Sequence, residues 1–348
     1  MRAVYLSFVL TGALLSFVGS AATSARAQTS PKRFYALVRS HDGFEVKTPD
    51  ARVVLDYVTI RPTDIGLTAP SACYFHPVET PSGETATNVA PDDHPHHRGI
   101  FLGFLDSEFR TPADDQSSGS RQPSGGLFDI HRADFWGWGF FAPRKNRVIQ
   151  NRDVRLLHAD SRKLLFEVHN DWLVEGKKML EETDHVNVSE RDGVYVIDLA
   201  YRLAPLYDYV IHKTAFGGFA VEGVKYGDWY YSAPWGKVTL PDPYYSNPET
   251  DWPAAPWYDY SVRLKKDGKT VGVAVLDHPL NPPTRWHNTV WMLNPSISSY
   301  RPLMIHSGSA LILRYRVVVH DGPPPTRLLQ RLSEEWETMQ GDPFAATP

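Results

Sequence analysis

A single cysteine, Cys73, stands in this chain of 348 residues, so no intrachain disulfide can form and stability has to come from a packed core. Basic residues are not in excess: 36 Lys and Arg face 40 Asp and Glu, which offers no basic face to a nucleic acid. Past the first twenty residues, no apolar run reaches the roughly 18 residues that a membrane helix needs. Also missing are a G-x-S-x-G elbow, an H-E-x-x-H pair and the glycine spacing of a phosphate loop. Their absence removes the serine-hydrolase, zincin and nucleotide readings.

The one long apolar run opens the chain. Arg2 precedes "VYLSFVLTGALLSFVG" and small residues ending in Ala25-Arg26-Ala27, the pattern of a secretory leader cut before Gln28. The alternative is a retained membrane anchor. The expectation is a mature chain of residues 28–348, periplasmic or secreted, folded as one domain and not inserted in a membrane. Residues 1–27 hold Arg2 and Arg26 and no acidic residue, so their removal takes the formal charge from −4 to −6. Ten Trp, 17 Tyr and 16 Phe suit a core and equally suit surfaces on which sugars stack.

Strand patterns dominate the rest. In "GVYVIDLAYRL" (193–203), Tyr195, Ile197, Leu199, Tyr201 and Leu203 share one face, and "ALILRYRVVV" (310–319) alternates in the same way. Shorter runs of this kind include "ARVVLDYVTI", "RGIFLGFL", "KLLFEVHNDWLV", "YSVRLKKDG" and "TVGVAVLDH". One helix is expected over residues 326–340, with Thr326 as N-cap and Leu328, Leu329, Leu332, Trp336 and Met339 on one stripe. Residues 106–127 and 226–260 read as long loops. The sum is a mainly β protein: a large antiparallel β-sandwich with a C-terminal helix across the outside of one sheet.

Four stretches could carry chemistry. "DDHPHHRG" (92–99) places His94, His96 and His97 beside Asp93 and Arg98. In an extended chain His94 and His96 point one way and His97 the other, so two imidazoles could share an ion that a third ligand completes. The competing uses are proton transfer, substrate binding and a hydrogen-bonded turn. "LDHPLNPPTRWH" (276–287) repeats Asp-His-Pro with Asp277 and His278, then adds Arg285, Trp286 and His287; a plain Pro-rich turn is the alternative. "FDIHRADFWGWGFFAP" (128–143) sets His131 and Asp134 beside Trp136 and Trp138, as a sugar site or a buried aromatic strand would. In "KTAFGGFAVEGV" (213–224), Lys213 precedes Gly217-Gly218, which permit close backbone approach.

These stretches, in this order, resemble the secreted bacterial family DUF6807, also labelled "methane oxygenase PmoA". The resemblance runs from about residue 90 to 322. It rests on "DHPHHRGIF" (93–101), "DFWGWG" (134–139), "GKKMLEETDHVNV" (176–188), "GGFAVEG" (217–223), "VGVAVLDHPLNPPTRWH" (271–287) and "LRYRVVVHDG" (313–322). It implies a sandwich similar to galactose-mutarotase-like proteins and a carbohydrate ligand, and it adds Glu182 to the candidate carboxylates. One departure stands out: Ala215-Phe216 precede the paired glycines, where the family commonly has a Glu.

The expected function is that of a secreted carbohydrate-active protein, an enzyme cleaving or rearranging a glycoside (hydrolase, lyase or epimerase-like) by His and carboxylate acid–base catalysis. The candidate catalytic residues are His94, His96, His97, Glu182, Asp277 and His287. The candidate substrate contacts are Asp93, Arg98, His131, Asp134, Trp136, Lys213, His278, Arg285 and Trp286. No cofactor is expected, although the histidines leave a divalent metal open. The alternatives are a non-catalytic glycan-binding protein and a metal-dependent oxygenase. The two Asp-His-Pro segments are expected to meet in space.

Overall fold

The computed structural model describes residues 33–113, 128–240, 252–289 and 291–345. The leader-like segment and most of the loop expected over 106–127 lie outside the described residues. Two antiparallel sheets carry the architecture. The first has seven strands, in spatial order Ala36–Arg39, Gly43–Lys47, Val53–Val58, Tyr74–Val78, Ile100–Gly103, Gly218–Glu222 and Met292–Leu293. The second has nine: Gly236–Lys237, Gly227–Ala233, Trp257–Leu264, Thr270–Asp277, Leu311–Asp321, Val194–Pro205, Lys177–Arg191, Lys163–Val174 and Arg147–Ala159. A four-stranded sheet (Leu303–Ile305, Asp208–Ile211, Ser107–Pro112, Phe128–Ala133) and a two-stranded one (Arg285–Trp286, Pro295–Ser296) complete it.

Period-two alternation sorts the side chains of these strands into three layers. Tyr57, Phe75, Ile100, Leu102, Phe219 and Val221 of the first sheet share one buried core with Phe166, Val168, Ile197, Leu199, Val275, Tyr315 and Val317 of the second. Phe219 and Tyr315 stack across the gap, with ring centroids 4.1 Å apart. The opposite faces are covered too. Val194, Val196, Ala274, Leu276 and Val318 pack under helix α1, Thr326–Glu337, through Leu328, Leu329, Leu332 and Trp336. Val58, Tyr74, Phe101, Ala220 and Met292 turn outward from the first sheet and meet Leu67, Ala69, Leu105 and Trp136.

The expected sandwich and its outer helix are therefore present, with local corrections. Pro325, not Thr326, holds the N-cap position of α1, without a side-chain cap. The helix ends before Met339, which is half exposed and so is not part of the buried stripe. Ser107–Pro112, expected as loop, pairs with Phe128–Ala133 and Asp208–Ile211. Strands Gly227–Ala233 and Trp257–Leu264 occupy the two ends of 226–260, where aromatic residues hide the alternation; residues 241–251 of that expected loop lie outside the described residues. No helix among the described residues is long and apolar enough to cross a membrane.

Candidate functional site

The site lies on the outer face of the seven-stranded sheet, and register puts it there. Val221 pairs with Ile100, so Glu222 falls opposite Gly99, where its N–H donates to the Gly99 carbonyl at 2.8 Å. Ala220 and Glu222 then face outward while Phe219 and Val221 face the core. Gly99 has φ +51° and sits so close to the backbone of Phe75 that an added Cβ would lie 2.0 Å from the Phe75 carbonyl oxygen. Only glycine lets the chain pass there and turn from the histidine segment into the strand.

The histidine segment is not extended. His94 N–H donates to Pro91 O (3.0 Å) and His97 N–H to His94 O (2.9 Å), so two consecutive turns replace the expected strand geometry. All three imidazoles consequently gather on one side. Ring centroids of His94 and His97 are 4.9 Å apart, His96 and His97 4.6 Å, and His94 and His96 5.8 Å. This corrects the expectation that His97 faces away from His96. His97 Nδ1 lies 3.0 Å from Glu222 Oε2, and both side chains are buried. Burial holds His97 well below the ordinary imidazole range and Glu222 well above the carboxylate range. Both shifts point to a pair in which the Glu222 hydroxyl donates to Nδ1, and one proton is held between the two groups.

Aromatic rings wall the cluster. Trp136, fully buried, stands edge-on to His97 at 5.7 Å, and Trp138 lies nearly parallel to His96 at 6.0 Å. Phe216 bridges the other side, 6.0 Å from Trp136, 5.7 Å from Trp138 and 5.2 Å from His287. Asn294 and Ser298 hold the Phe216 loop: Asn294 Nδ2 donates to the Gly217 and Phe219 carbonyls, and Ser298 Oγ to Phe216 O. His287 thus joins the cluster from the second Asp-His-Pro stretch. Burial, with His94 and Arg98 adding to it, takes His96 down to about 3, and burial alone takes His287 down to about 4. His96, His97 and His287 are therefore neutral near pH 7.

Of the fourteen histidines, three keep a buried ring nitrogen without a hydrogen-bond partner: His94 Nδ1, His96 Nε2 and His287 Nδ1. All three are at this site. Glu222 Oε1 and Asn288 Nδ2 beside them are likewise unpartnered. Such a group costs about 1–3 kcal/mol when left unsatisfied, so a cluster of them indicates a place built to be filled. At the rim, Lys225 Nζ meets Asp93 Oδ1 at 3.1 Å, and Asp93 Oδ2 is 3.5 Å from His94 Nδ1. No group of three His, Cys, Asp or Glu side chains among the described residues is arranged to hold a metal ion.

The other candidates lie elsewhere or act as supports. Arg98 is fully buried behind the histidines; it donates to the carbonyls of His96, Phe135 and Trp136 and lies 4.4 Å over the Phe101 ring, so it fixes the site walls from behind. Asp134, pushed up to about 6 by burial, accepts from the N–H groups of Gly137 and Gly139 and caps the Trp138 turn. Glu182 points into the core between the sheets. It accepts from Asn170 Nδ2 and Trp172 Nε1 (2.7 Å) and sits beside Asp184, because residues 180–188 alternate with even numbers inward after a bulge. Asp277, also raised to about 6 by burial, accepts from Asn281 Nδ2 and Thr284 Oγ1 and clamps its loop. His278 Nε2 donates to Met339 O at 3.0 Å, its Nδ1 accepts from Leu280 N–H, and its ring stands edge-on to Trp336 of α1.

The two Asp-His-Pro segments therefore serve opposite faces of the sandwich, and only His287 of the second joins the first. Trp286 is core, its indole donating to Ala255 O and its ring against Tyr258. Arg285 lies over Tyr300, His131 bonds Thr111 on the four-stranded sheet, and Lys213 is exposed. Sequence reasoning missed Glu222, Phe216, Lys225 and Asn288. A charged residue closing an apolar alternation, as Glu222 does in "GGFAVEG", was the available signal for the first of these.

Solved structures that resemble this fold do so distantly. A galactose mutarotase-related enzyme from Lactobacillus acidophilus is 11% identical, with 82% of this chain and 97% of that chain covered and a TM-score of 0.33. A GH36 α-galactosidase from Geobacillus stearothermophilus is 8% identical over 83% of this chain and 40% of its own, at 0.32, and its complex with stachyose gives 0.33 over the same shares. No curated protein matches. The model of the family of unknown function DUF6807 matches residues 46–334, and the chain belongs to that family.

Proposed function

We propose that the cluster of His94, His96, His97, His287 and Glu222 binds a sugar and moves a proton on it, making the protein a carbohydrate-active enzyme. The observation that carries this reading is the set of unpartnered buried imidazole nitrogens gathered here and nowhere else among the described residues. A neutral imidazole donates at one nitrogen and accepts at the other, and Glu222 Oε1 adds a further open position. A polyol asks for that mixture, since each hydroxyl both donates and accepts. The rings of Trp138 and Phe216 supply the apolar faces that sugar C–H groups cover.

His97 and Glu222 form the proton-moving unit. With the Glu222 hydroxyl donating to His97 Nδ1, the pair can take a substrate proton at Glu222 Oε1 while His97 Nε2 gives one back, so its net charge stays zero. The ordinary pattern for hydrolysis is two carboxyl groups facing each other across the bond. Here the second carboxyl, Asp93, is tied to Lys225 at the rim, which suits proton transfer within a sugar better than displacement at its anomeric carbon. Export of the protein belongs to the same proposal and rests on the leader-like residues 1–27. The test is a screen of purified protein against neutral free sugars, methyl glycosides and aryl glycosides, read both by binding and by product formation. Conversion lost in Glu222→Gln supports the reading. Binding without any conversion turns the protein into a glycan-binding module, and no binding removes the sugar reading.

A further inference from the structure

Beside the histidine cluster the surface carries three exposed rings. Trp138, Phe140 and Phe141 are 41%, 73% and 42% exposed and touch one another, with centroids 5.2 Å (Trp138 and Phe140), 5.1 Å (Phe140 and Phe141) and 6.0 Å (Trp138 and Phe141) apart. Large apolar rings exposed together are costly for a surface unless something covers them. The loop that bears them is held firmly. Asp134 accepts from Gly137 and Gly139, Arg144 Nη1 donates to Gly137 O at 2.9 Å, and Arg98 holds the carbonyls of Phe135 and Trp136. Gly137 has φ +106°, and its backbone approaches Ala69 so closely that a Cβ would fall 2.6 Å from the Ala69 Cβ. The rings are thus presented by a pre-formed turn, which lowers the entropy lost when a ligand settles on them.

The platform is continuous with the histidine cluster. From His97 the rings run through His96 and Trp138 to Phe140 in steps of 4.6, 6.0 and 5.2 Å, a row longer than one sugar ring covers. The nearby cations are engaged: Lys225 with Asp93, Arg144 with Gly137 O, Arg98 with three carbonyls. We propose that Trp138, Phe140 and Phe141 form a second subsite that receives the next ring of a neutral glycan, so that the ligand is a glycoside of at least two rings rather than a free monosaccharide. This rests on the sugar reading of the histidine cluster.

The experiment compares neutral disaccharides with their component monosaccharides, by titration calorimetry on the full chain, in wild type, Phe140→Ala and His97→Ala. Phe140 is mostly exposed, so Phe140→Ala should melt as wild type does. Wild type should bind the preferred disaccharide about tenfold more tightly than either component, as expected for one added ring-stacking contact. Phe140→Ala should erase that difference and leave monosaccharide affinity unchanged, while His97→Ala should weaken both. Equal affinity for both sugars with no effect of Phe140→Ala overturns the subsite and leaves the cluster's sugar reading standing. No binding of any sugar by wild type overturns that reading, and the subsite with it. A wild-type dimer that Phe140→Ala splits, seen by sedimentation, makes the platform a self-interface and overturns the proposal.

Discussion

Asp93-His94-Pro95 and Asp277-His278-Pro279 are the same tripeptide, and each adjoins an apolar strand. In the second, both nitrogens of His278 are bonded and both oxygens of Asp277 accept. That segment braces the end of α1. In the first, His94 stacks on His97 among imidazoles with open nitrogens, and Asp93 reaches Lys225 at the rim. Local sequence does not separate these two segments; their imidazole nitrogens do, closed at His278 and open at His94 and His96. A brace has its polar atoms closed because its purpose is internal, whereas a site keeps some open for a ligand.

Substitutions sharpen this contrast, and the largest effect belongs to the open segment. Glu222→Gln or His97→Ala should lower turnover on the sugar found by the screen by about 10²–10⁴-fold, the usual contribution of a general acid–base group. Folding should change far less, and a matched loss of activity and melting temperature would instead make the pair structural. In the closed segment the sign reverses. His278→Ala removes the bond to Met339 O and should cost about 1–3 kcal/mol in chemical denaturation, while turnover per folded molecule stays at the wild-type level.

Smaller effects should appear in the pH dependence of stability, with opposite signs for His287 of the open cluster and Asp277 of the closed segment. His287, at about 4 when folded, contributes stability that is present above pH ~6.5 and is lost as pH falls through 4. Asp277, at about 6 when folded, contributes stability that is present below pH ~4 and is lost as pH rises through 6. Melting curves from pH 3.5 to 8 should therefore show a shallower acid limb in His287→Gln. The deficit of Asp277→Asn should be largest at low pH and should shrink above pH 6. His131→Ala marks the floor: it lies on the four-stranded sheet, bonded to Thr111, and should not change turnover.

What could be read from the sequence follows the range of the interaction. Lys163–Val174 and Leu311–Asp321 were legible because alternation is local and each strand has one face in a continuous core. The helix stripe was legible for the same reason. The gathering of three histidines was not: a hydrogen-bonded turn was one reading of the segment, but the side on which its rings meet depends on two successive turns, Pro91 O to His94 N–H and His94 O to His97 N–H. Glu222 was hidden by a register: only its pairing opposite Gly99 brings it to His97, 125 residues earlier. Glu182 shows the converse. A resemblance singled it out, yet the bulge between Lys178 and Leu180 sets the inward alternation that carries it into the core, where Asn170 and Trp172 bind it.

The most direct test is a crystal structure of the protein grown with the tightest sugar from the screen. The sugar should lie over His97, with its hydroxyl oxygens within hydrogen-bond distance of His96 Nε2, His287 Nδ1 and Glu222 Oε1, and the bonds of His278 and Asp277 should be unchanged. A sugar bound at any other place, with those three atoms out of its reach, would contradict the account.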